Sequence, residues 1–196
     1  AAGRIDAGSI IKGTSDSGFQ ALALNGGQQF AFRATDNGGN NNAIIYSDGS
    51  ATFAGDATIN TLTVGRGGNN VSFNTAVGED ALQANTTGSG NGAFGYRALY
   101  SHTTGTRNFA FGNEALKATT TGSYNNAFGR DALLSNTTGN YNVAIGYEAL
   151  KSVTTGIENT GLGTFALKLN TGNSNTAVGY QSLAQNTTAT NNTAVG

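Results

Sequence analysis

A 17-residue motif occurs eight times from Asn74 to the end of the chain, and it constrains the fold more than any other feature. Its consensus is Asn-x-Ala-h-Gly-x-x-Ala-Leu-x-x-x-Thr-Thr-Gly-x-x, where h is a larger apolar residue. One unit, which contains Leu167–Gly172, has only 16 residues. A short, strict period is typical of a solenoid, in which each unit forms one coil and stacks on the next. We therefore predict stacked coils and expect a turn to absorb the one deletion.

Two rows of the aligned units supply the candidate core. The h row contains Val77, Phe94, Phe111, Phe128, Ile145, Leu162, Val178 and Val195. The leucine row contains Leu82, Leu99, Leu116, Leu133, Leu150, Leu167 and Leu183. Because a coil of this length has few other large apolar side chains, we predict that both rows are buried.

The position before h is alanine in every unit except one, where it is Gly161. A row restricted to alanine and glycine indicates that another part of the backbone comes close. Two arrangements remain open. Either several chains crowd around a shared symmetry axis at this row, or the row lies at a tight turn inside one coil.

Asparagine opens every unit, at Asn74, Asn91, Asn108, Asn125, Asn142, Asn159, Asn175 and Asn192. In stacked coils, a row of identical amides can form a ladder in which each side chain bonds the one in the next coil. Asparagine also tolerates left-handed turn conformations. We therefore assign the row a structural role rather than a role in ligand binding.

Each unit is expected to contain an extended segment followed by a segment with two possible structures. The Asn-x-Ala-h part should be a strand, and the glycine after it permits a corner. The next segment, as in Glu79–Ala84 or Glu114–Ala118, is rich in residues that favour helix. It could form one helical turn or a second strand, and propensity favours the helical turn. With about 4.8 Å per coil, seven coils would make a rod of roughly 34 Å.

Residues 1–72 lack the repeat and instead alternate short strand-like runs with turn signals. The runs are Phe19–Leu24, Gln29–Arg33, Ala43–Tyr46, Ala51–Phe53 and Ala57–Val64. Asp48 and Gly49 between two of them are a hairpin signal. We predict a mainly β protein with a β-rich shaft or collar at residues 1–72. Residues 73–196 would form the array, with seven full units and the start of an eighth.

Composition excludes several classes of function. The net charge is −1 and the pI is near 5.7, which is unlike the basic surface of a nucleic-acid-binding protein. No apolar run is long enough to insert into a membrane, and the absence of cysteine excludes disulfides. Large apolar residues are scarce, so we expect a thin core that is shared between chains. Without methionine, and ending inside a unit, the sequence is expected to be a segment of a longer protein.

Parts of the array resemble the repeats of two groups of fibrous proteins. Asn175–Thr188 resembles repeats of bacteriophage tail fibres, and Ser47–Asp56 with Leu62–Gly65 resembles structural proteins of marine cyanobacterial phages. The Asn142–Gly146 core is similar to head repeats of trimeric autotransporter adhesins, whose units are shorter. Both resemblances imply a homotrimeric fibre that holds a binding surface away from a particle or cell. The N-terminal resemblance favours the phage.

Catalytic signals are weak, and we expect neither enzymatic activity nor a cofactor. Asp80, Arg97, Glu114, Asp131 and Glu148 share one row, two residues after the motif glycine. Paired carboxylates can cleave polysaccharides, but a solvated ladder of charges explains this row better. Stacking would bring Asp80 and Glu114 close to Arg97. His102, the single histidine, replaces the asparagine of other units, so one chain has no multi-histidine metal site.

One variable row, just before each asparagine, is a candidate binding surface. It contains Gly90, Arg107, Tyr124, Tyr141, Glu158, Ser174 and Asn191. Because the row lies in a turn, its large side chains should be exposed. Arg107, Tyr124, Tyr141 and Glu158 could then contact a surface glycan or protein receptor, although an ordinary solvated edge would show the same pattern.

These observations favour a homotrimeric segment of a viral tail fibre, located in the virion and involved in host attachment. Its expected partners are its own copies, other tail or baseplate proteins, and a host glycan or protein. One alternative is the head of a bacterial trimeric adhesin at the cell surface. A further alternative is an ice-binding solenoid, because the Thr-Thr pair recurs in nearly every unit.

Overall fold

The computed structural model describes residues 10–12, 18–20, 30–35, 41–46, 51–53, 57–59 and 62–196, with side-chain environments from Val64 onward. The chain divides into two compact units, Ala1–Gly55 and Asp56–Gly196. The second unit holds the array, and its first strands precede the predicted start of the repeats at residue 73.

The first unit contains an antiparallel sheet of five strands in chain order. Its strands are β1 (Ile10–Lys12), β2 (Gly18–Gln20), β3 (Phe30–Thr35), β4 (Asn41–Tyr46) and β5 (Ala51–Phe53). Strands β4 and β5 pair antiparallel, with Ile44 opposite Thr52. This pairing agrees with the predicted hairpin, whereas Asp48 and Gly49 themselves lie outside the described residues.

The second unit contains a ten-stranded sheet, also in chain order. Its strands are β6 (Ala57–Ile59), β7 (Leu62–Gly65), β8 (Thr75–Val77), β9 (Gly92–Phe94), β10 (Phe109–Phe111), β11 (Asn126–Phe128), β12 (Val143–Ile145), β13 (Thr160–Leu162), β14 (Thr176–Val178) and β15 (Thr193–Val195). The run predicted at 57–64 is a hairpin, because β6 pairs antiparallel with β7. Strand β7 is antiparallel to β8, and all later neighbours are parallel.

Each repeat contributes one parallel strand at the same position of the motif. Ala110 lies opposite Ala127, and Ala127 lies opposite Ala144. The repeat thus forms a β-solenoid of about seven coils, as predicted. The 16-residue unit keeps this register, because Thr160 pairs with Thr176, and the missing residue falls in the turn that contains Thr171.

The predicted helical turn is wrong, and the described residues contain no α-helix. After the motif glycine the chain makes successive turns with left-handed residues, such as Glu114 at φ 57° and Leu116 at φ 53°. The Leu116 N–H donates to the Ala132 carbonyl of the next coil at 3.0 Å. Hydrogen bonds between coils therefore override the local helix propensity, which is a weak preference over so short a segment.

The core is a column of leucine and alanine inside the coils. Six leucines of the leucine row are fully buried, and only Leu183 in the last full coil is partly exposed. Two alanine rows line the rest of the column, one before h and one before leucine.

The h row does not belong to this core, which corrects the prediction. Successive side chains of a strand point to opposite faces, so the buried alanine before h directs h outward. Phe111 is 55% exposed and Ile145 is 45% exposed. The outward residues of the row are Val77, Phe94, Phe111, Phe128, Ile145, Leu162, Val178 and Val195.

The row before h packs against its own chain. Ala110 and Ala127 have no exposed surface. At Gly161 an added Cβ would lie 3.2 Å from Cγ of Leu150, across the interior of the coils. The small side chains therefore make room for the leucine column, and the row does not line an axis between chains.

The motif glycines are required by both conformation and space. Gly129 has a φ of 138°, and an added Cβ would lie 2.5 Å from the Gly146 carbonyl oxygen. No other residue adopts this conformation at such a close approach without strain. The glycine row therefore sets the corner at which each strand ends.

Candidate functional site

The asparagine row forms an amide ladder along the inside of the coils. The Asn125 amide Nδ2 donates to Oδ1 of Asn108 at 3.2 Å and to the Gly139 carbonyl at 2.7 Å. Its own Oδ1 accepts the backbone N–H of Asn142 at 3.0 Å. These side chains are buried, so the ladder satisfies polar groups that would otherwise be costly. The row thus holds the coils together and presents no free amide to a ligand.

His102 lies at the corner that Asn85 and Asn136 occupy in other coils, and it is fully buried. Its Nε2 lies 2.8 Å from the Gly105 carbonyl, which fixes the tautomer that carries the proton on Nε2. Its Nδ1 has no hydrogen-bond partner. Burial lowers the pKa of His102 below its ordinary value, so the ring is a neutral spacer in the corner.

The predicted row of charges forms ion pairs, but mostly with a different row. Arg97 pairs with Asp80 at 3.3 Å as expected. Glu114 instead pairs with Lys117 at 2.8 Å, and Glu148 pairs with Lys151 at 2.7 Å, in both cases three residues later. In the sequence, these ion pairs are indicated by the lysines that stand three residues after Glu114 and Glu148.

Glu148 is the most strongly paired carboxylate. Lys151 and, from the next coil, Lys168 each lie 2.7 Å from its oxygens, and together they hold its pKa at about 2. A carboxyl group with so low a pKa stays ionised and is poorly matched to the role of a general acid near neutral pH. The geometry favours a structural role for this part of the row.

The outer face of strands β8–β15 is an uncharged surface that carries a continuous row of apolar side chains, and we call it the outer sheet face. It consists of the h row and the residues two positions before it, and none of these residues is charged. Its centre is aromatic: the rings of Phe94 and Phe109 are 5.5 Å apart, and those of Phe111 and Phe128 are 6.4 Å apart. An exposed row of large apolar side chains of this kind is typical of an interaction surface.

The variable row before the asparagines brings Arg107, Tyr124, Tyr141 and Glu158 into line on the surface; we call these four residues the tyrosine row. The Tyr124 and Tyr141 rings stack at 5.0 Å with an angle of 12°. The Arg107 guanidinium lies 5.4 Å from the centre of the Tyr124 ring and donates to its hydroxyl group. Exposed fractions of 37% for Tyr124 and 56% for Tyr141 leave both rings accessible.

The part of the chain that the structure describes contains no group of three or more acidic or histidine side chains placed to hold a metal ion. Among the same residues, no helix has the length and apolar character of a membrane span. Compared with known proteins, the chain matches no family model, no curated protein and no solved structure.

Sequence reasoning missed two features of the surface. Sequence reasoning places the h row in the core, although the period-two alternation of a strand with alanine or Gly161 at its centre indicates that the h row faces outward. Ile157 was also overlooked, because it stands in a row of Ser, Thr and Asn residues that the consensus treats as variable. It is 37% exposed beside Glu158.

Proposed function

We propose that this chain is a structural segment of a viral tail fibre that spaces or presents a host-recognition surface. The observation that carries the proposal is the outer sheet face, an uncharged surface that presents one outward apolar residue of the h row in every coil of the solenoid. A rod with amide ladders and ion pairs between coils is suited to transmit force and hold distance.

The occupant proposed for the outer sheet face is two further copies of the same chain. An uncharged face is electrostatically compatible with itself. Because each coil repeats the same outward rows, parallel copies in register would meet the same residues at every level. The aromatic cluster around Phe111 and Phe128 would then lie next to the symmetry axis, and the tyrosine row could remain outside.

Location and mass together test the proposal. Gold-labelled antibody against the chain, viewed on intact phage particles, should decorate the tail fibres, and light scattering should give three times the chain mass. Label on the capsid alone, or no label on the particles, would refute the fibre assignment. A stable monomer would refute the trimer. Label at the surface of a bacterium that encodes a membrane anchor would favour the adhesin head instead.

The ice-binding alternative has one observation in its favour. The second threonine of each pair is exposed, as at Thr87, Thr104 and Thr138. However, the first hydroxyl is engaged: Thr86 donates to the Thr103 carbonyl at 2.9 Å, and Thr103 donates to the Thr120 carbonyl at 3.0 Å. Thermal hysteresis of the purified chain would support this alternative, and its absence would exclude it.

A further inference from the structure

The residues of the tyrosine row have strained backbone conformations at exposed positions, where burial of the side chain does not offset the strain. Arg107, Tyr124, Tyr141 and Glu158 have φ between 56° and 59°. Gly90 and Asn191 occupy the same row in other coils and suit this conformation, whereas bulky residues do not. The leucines at positive φ gain burial in return, but Tyr141 is 56% exposed. The left-handed turn recurs in every coil, and the large side chains that this row exposes on it are candidates for a role outside folding.

The two faces of the Tyr141 ring differ in what they meet. One face stacks on Tyr124 at 5.0 Å, and the Tyr141 backbone N–H is anchored to the Ser123 carbonyl at 3.2 Å. In the next coil the row continues with Glu158, which has no ring to cover the second face. The ring is therefore held rigidly, with one aromatic face open towards Glu158.

Glu158 and its neighbours complete a small shelf, defined here as Tyr141, Ile157, Glu158 and Ser174. The Ser174 hydroxyl donates to Oε2 of Glu158 at 3.1 Å, which orients the carboxylate and leaves Oε1 able to accept further hydrogen bonds. Ile157 adds an exposed apolar side chain beside it. The shelf thus combines an aromatic platform, an aliphatic edge and an oriented acceptor.

We propose that the shelf binds a pyranose ring of an uncharged oligosaccharide, which deepens the proposed attachment role and rests on it for its biological meaning. The C–H face of a pyranose packs on an aromatic ring, whose face is electron-rich. Its hydroxyl groups donate to the Glu158 carboxylate, which accepts but cannot donate when ionised. The same negative charge disfavours sugars that carry carboxylate or sulfate groups.

The test is binding of the full chain to a printed panel of neutral hexose and N-acetylhexosamine oligosaccharides, with sialylated and sulfated members as competitors. Binding to neutral members and not to anionic ones is expected. The strongest neutral member is then titrated by saturation-transfer NMR, where ring protons of the sugar should receive magnetisation from the protein.

Variants assign the binding to the shelf. Y141A should weaken binding at least tenfold and E158Q about tenfold, whereas Y141F should bind almost normally because the platform is kept. Tyr180 is 66% exposed in a different row, so Y180A is the matched control and should bind as the original chain does. Thermal unfolding of each variant checks that the coils remain folded.

Three results would overturn the proposal: no oligosaccharide of the panel binds, anionic members bind best, or Y141A binds as well as Y180A. None of these results affects the fibre assignment, which depends on particle labelling and mass. Conversely, a neutral glycan that binds through Tyr141 would establish the shelf even if the labelled chain were found outside the tail fibres.

Discussion

Individual residues at one motif position carry out different tasks in this solenoid because the coil fixes their backbone and leaves their side chains to vary. The buried corner holds Asn85, His102 and Asn136 in equivalent places, each close to the carbonyl of the glycine three residues later. On the surface, Tyr141 and Asn191 share one left-handed conformation and are both exposed, but their side chains differ in chemistry. A residue's environment therefore follows from its row.

In mild acid, the fold should lose less stability when His102 is replaced with asparagine than it does in the original chain. Burial lowers the folded pKa of His102 below its ordinary value near 6.5. The unfolded chain then binds more protons, so the stability that the neutral ring contributes is present above pH 6.5 and is lost as the pH falls below it. Melting temperatures at pH 7.5 and 5.5 should differ less in H102N than in the original chain. An equal decrease in both would contradict the assignment.

Replacing Glu148 with glutamine should make the stability of the fold depend less on pH in the acidic range. Lys151 and Lys168 hold the folded pKa of Glu148 at about 2, compared with an ordinary value of 4.5. The ionised carboxylate therefore stabilises the fold above pH 4.5, and this stabilisation is lost as the pH falls towards 2. Melting temperatures recorded from pH 6 to pH 2 should decrease less steeply in E148Q, and parallel profiles would argue against these ion pairs.

At the scale of elements, each coil is defined by hydrogen bonds to its neighbours more than by bonds within itself. The strands pair in register, the leucine turns donate to the next coil, and the asparagine ladder closes the inside. This arrangement explains why a short segment with helical composition forms turns. An isolated segment of this length could not offset the unfavourable free energy of helix nucleation. In the solenoid, the neighbouring coils supply hydrogen-bond partners for its backbone groups.

Replacing Asn125 with alanine should destabilise the array by about 2 kcal/mol, because the Asn142 backbone N–H and the Gly139 carbonyl would lose their buried partner. Asn126 is adjacent but half-exposed on the outer sheet face, so N126A is the matched control. Denaturant unfolding should show a clear loss for N125A and a small one for N126A. Similar losses would mean that the ladder contributes little.

Comparison of L133A with F128A tests the corrected core. Leu133 is fully buried, whereas Phe128 is 39% exposed on the outer sheet face. In a dilute, monomeric sample L133A should cost about 3 kcal/mol because it leaves a cavity, and F128A should cost less than about 1 kcal/mol. If F128A lowered the free energy of unfolding of the monomer more than L133A does, the h row would belong to the core.

The second compact unit as a whole presents two surfaces of different character on one rigid solenoid. The outer sheet face is uncharged and carries the continuous apolar h row, and the tyrosine row is polar, aromatic and local. Association through the first surface would leave the second available for recognition in each of three copies. Three weak sites on one fibre, and many fibres on one particle, would bind a host surface far more tightly than a single shelf.

Replacing Phe111 with aspartate should prevent formation of the proposed homotrimer without unfolding the coils. Phe111 lies among the stacked rings at the centre of the outer sheet face and is 55% exposed in the single chain. Association would bury three carboxylates close together, which is strongly unfavourable. Light scattering should then give the mass of one chain, with an unchanged circular dichroism spectrum. Y180D introduces the same charge at another exposed aromatic position, which is 66% exposed, and this variant should remain trimeric. An F111D trimer would exclude this face.

The sequence by itself determined the features that depend on periodicity. The 17-residue spacing predicted the solenoid, the leucine row marked its interior, and the invariant asparagines indicated a ladder. These features follow from the regular stacking of one coil on the next, because stacking places identical residues next to one another.

Only the tertiary structure decided the direction in which side chains point. It turned the h row outward, since the small residue before it lies in the narrow interior, where even a Cβ added to Gly161 would lie 3.2 Å from Cγ of Leu150. It also replaced the expected helical turn with left-handed residues, as at Leu116, whose strain is offset by burial and by bonds to the next coil. Neither outcome can be read from composition, because both depend on how much room and how many hydrogen-bond partners the neighbouring coil provides.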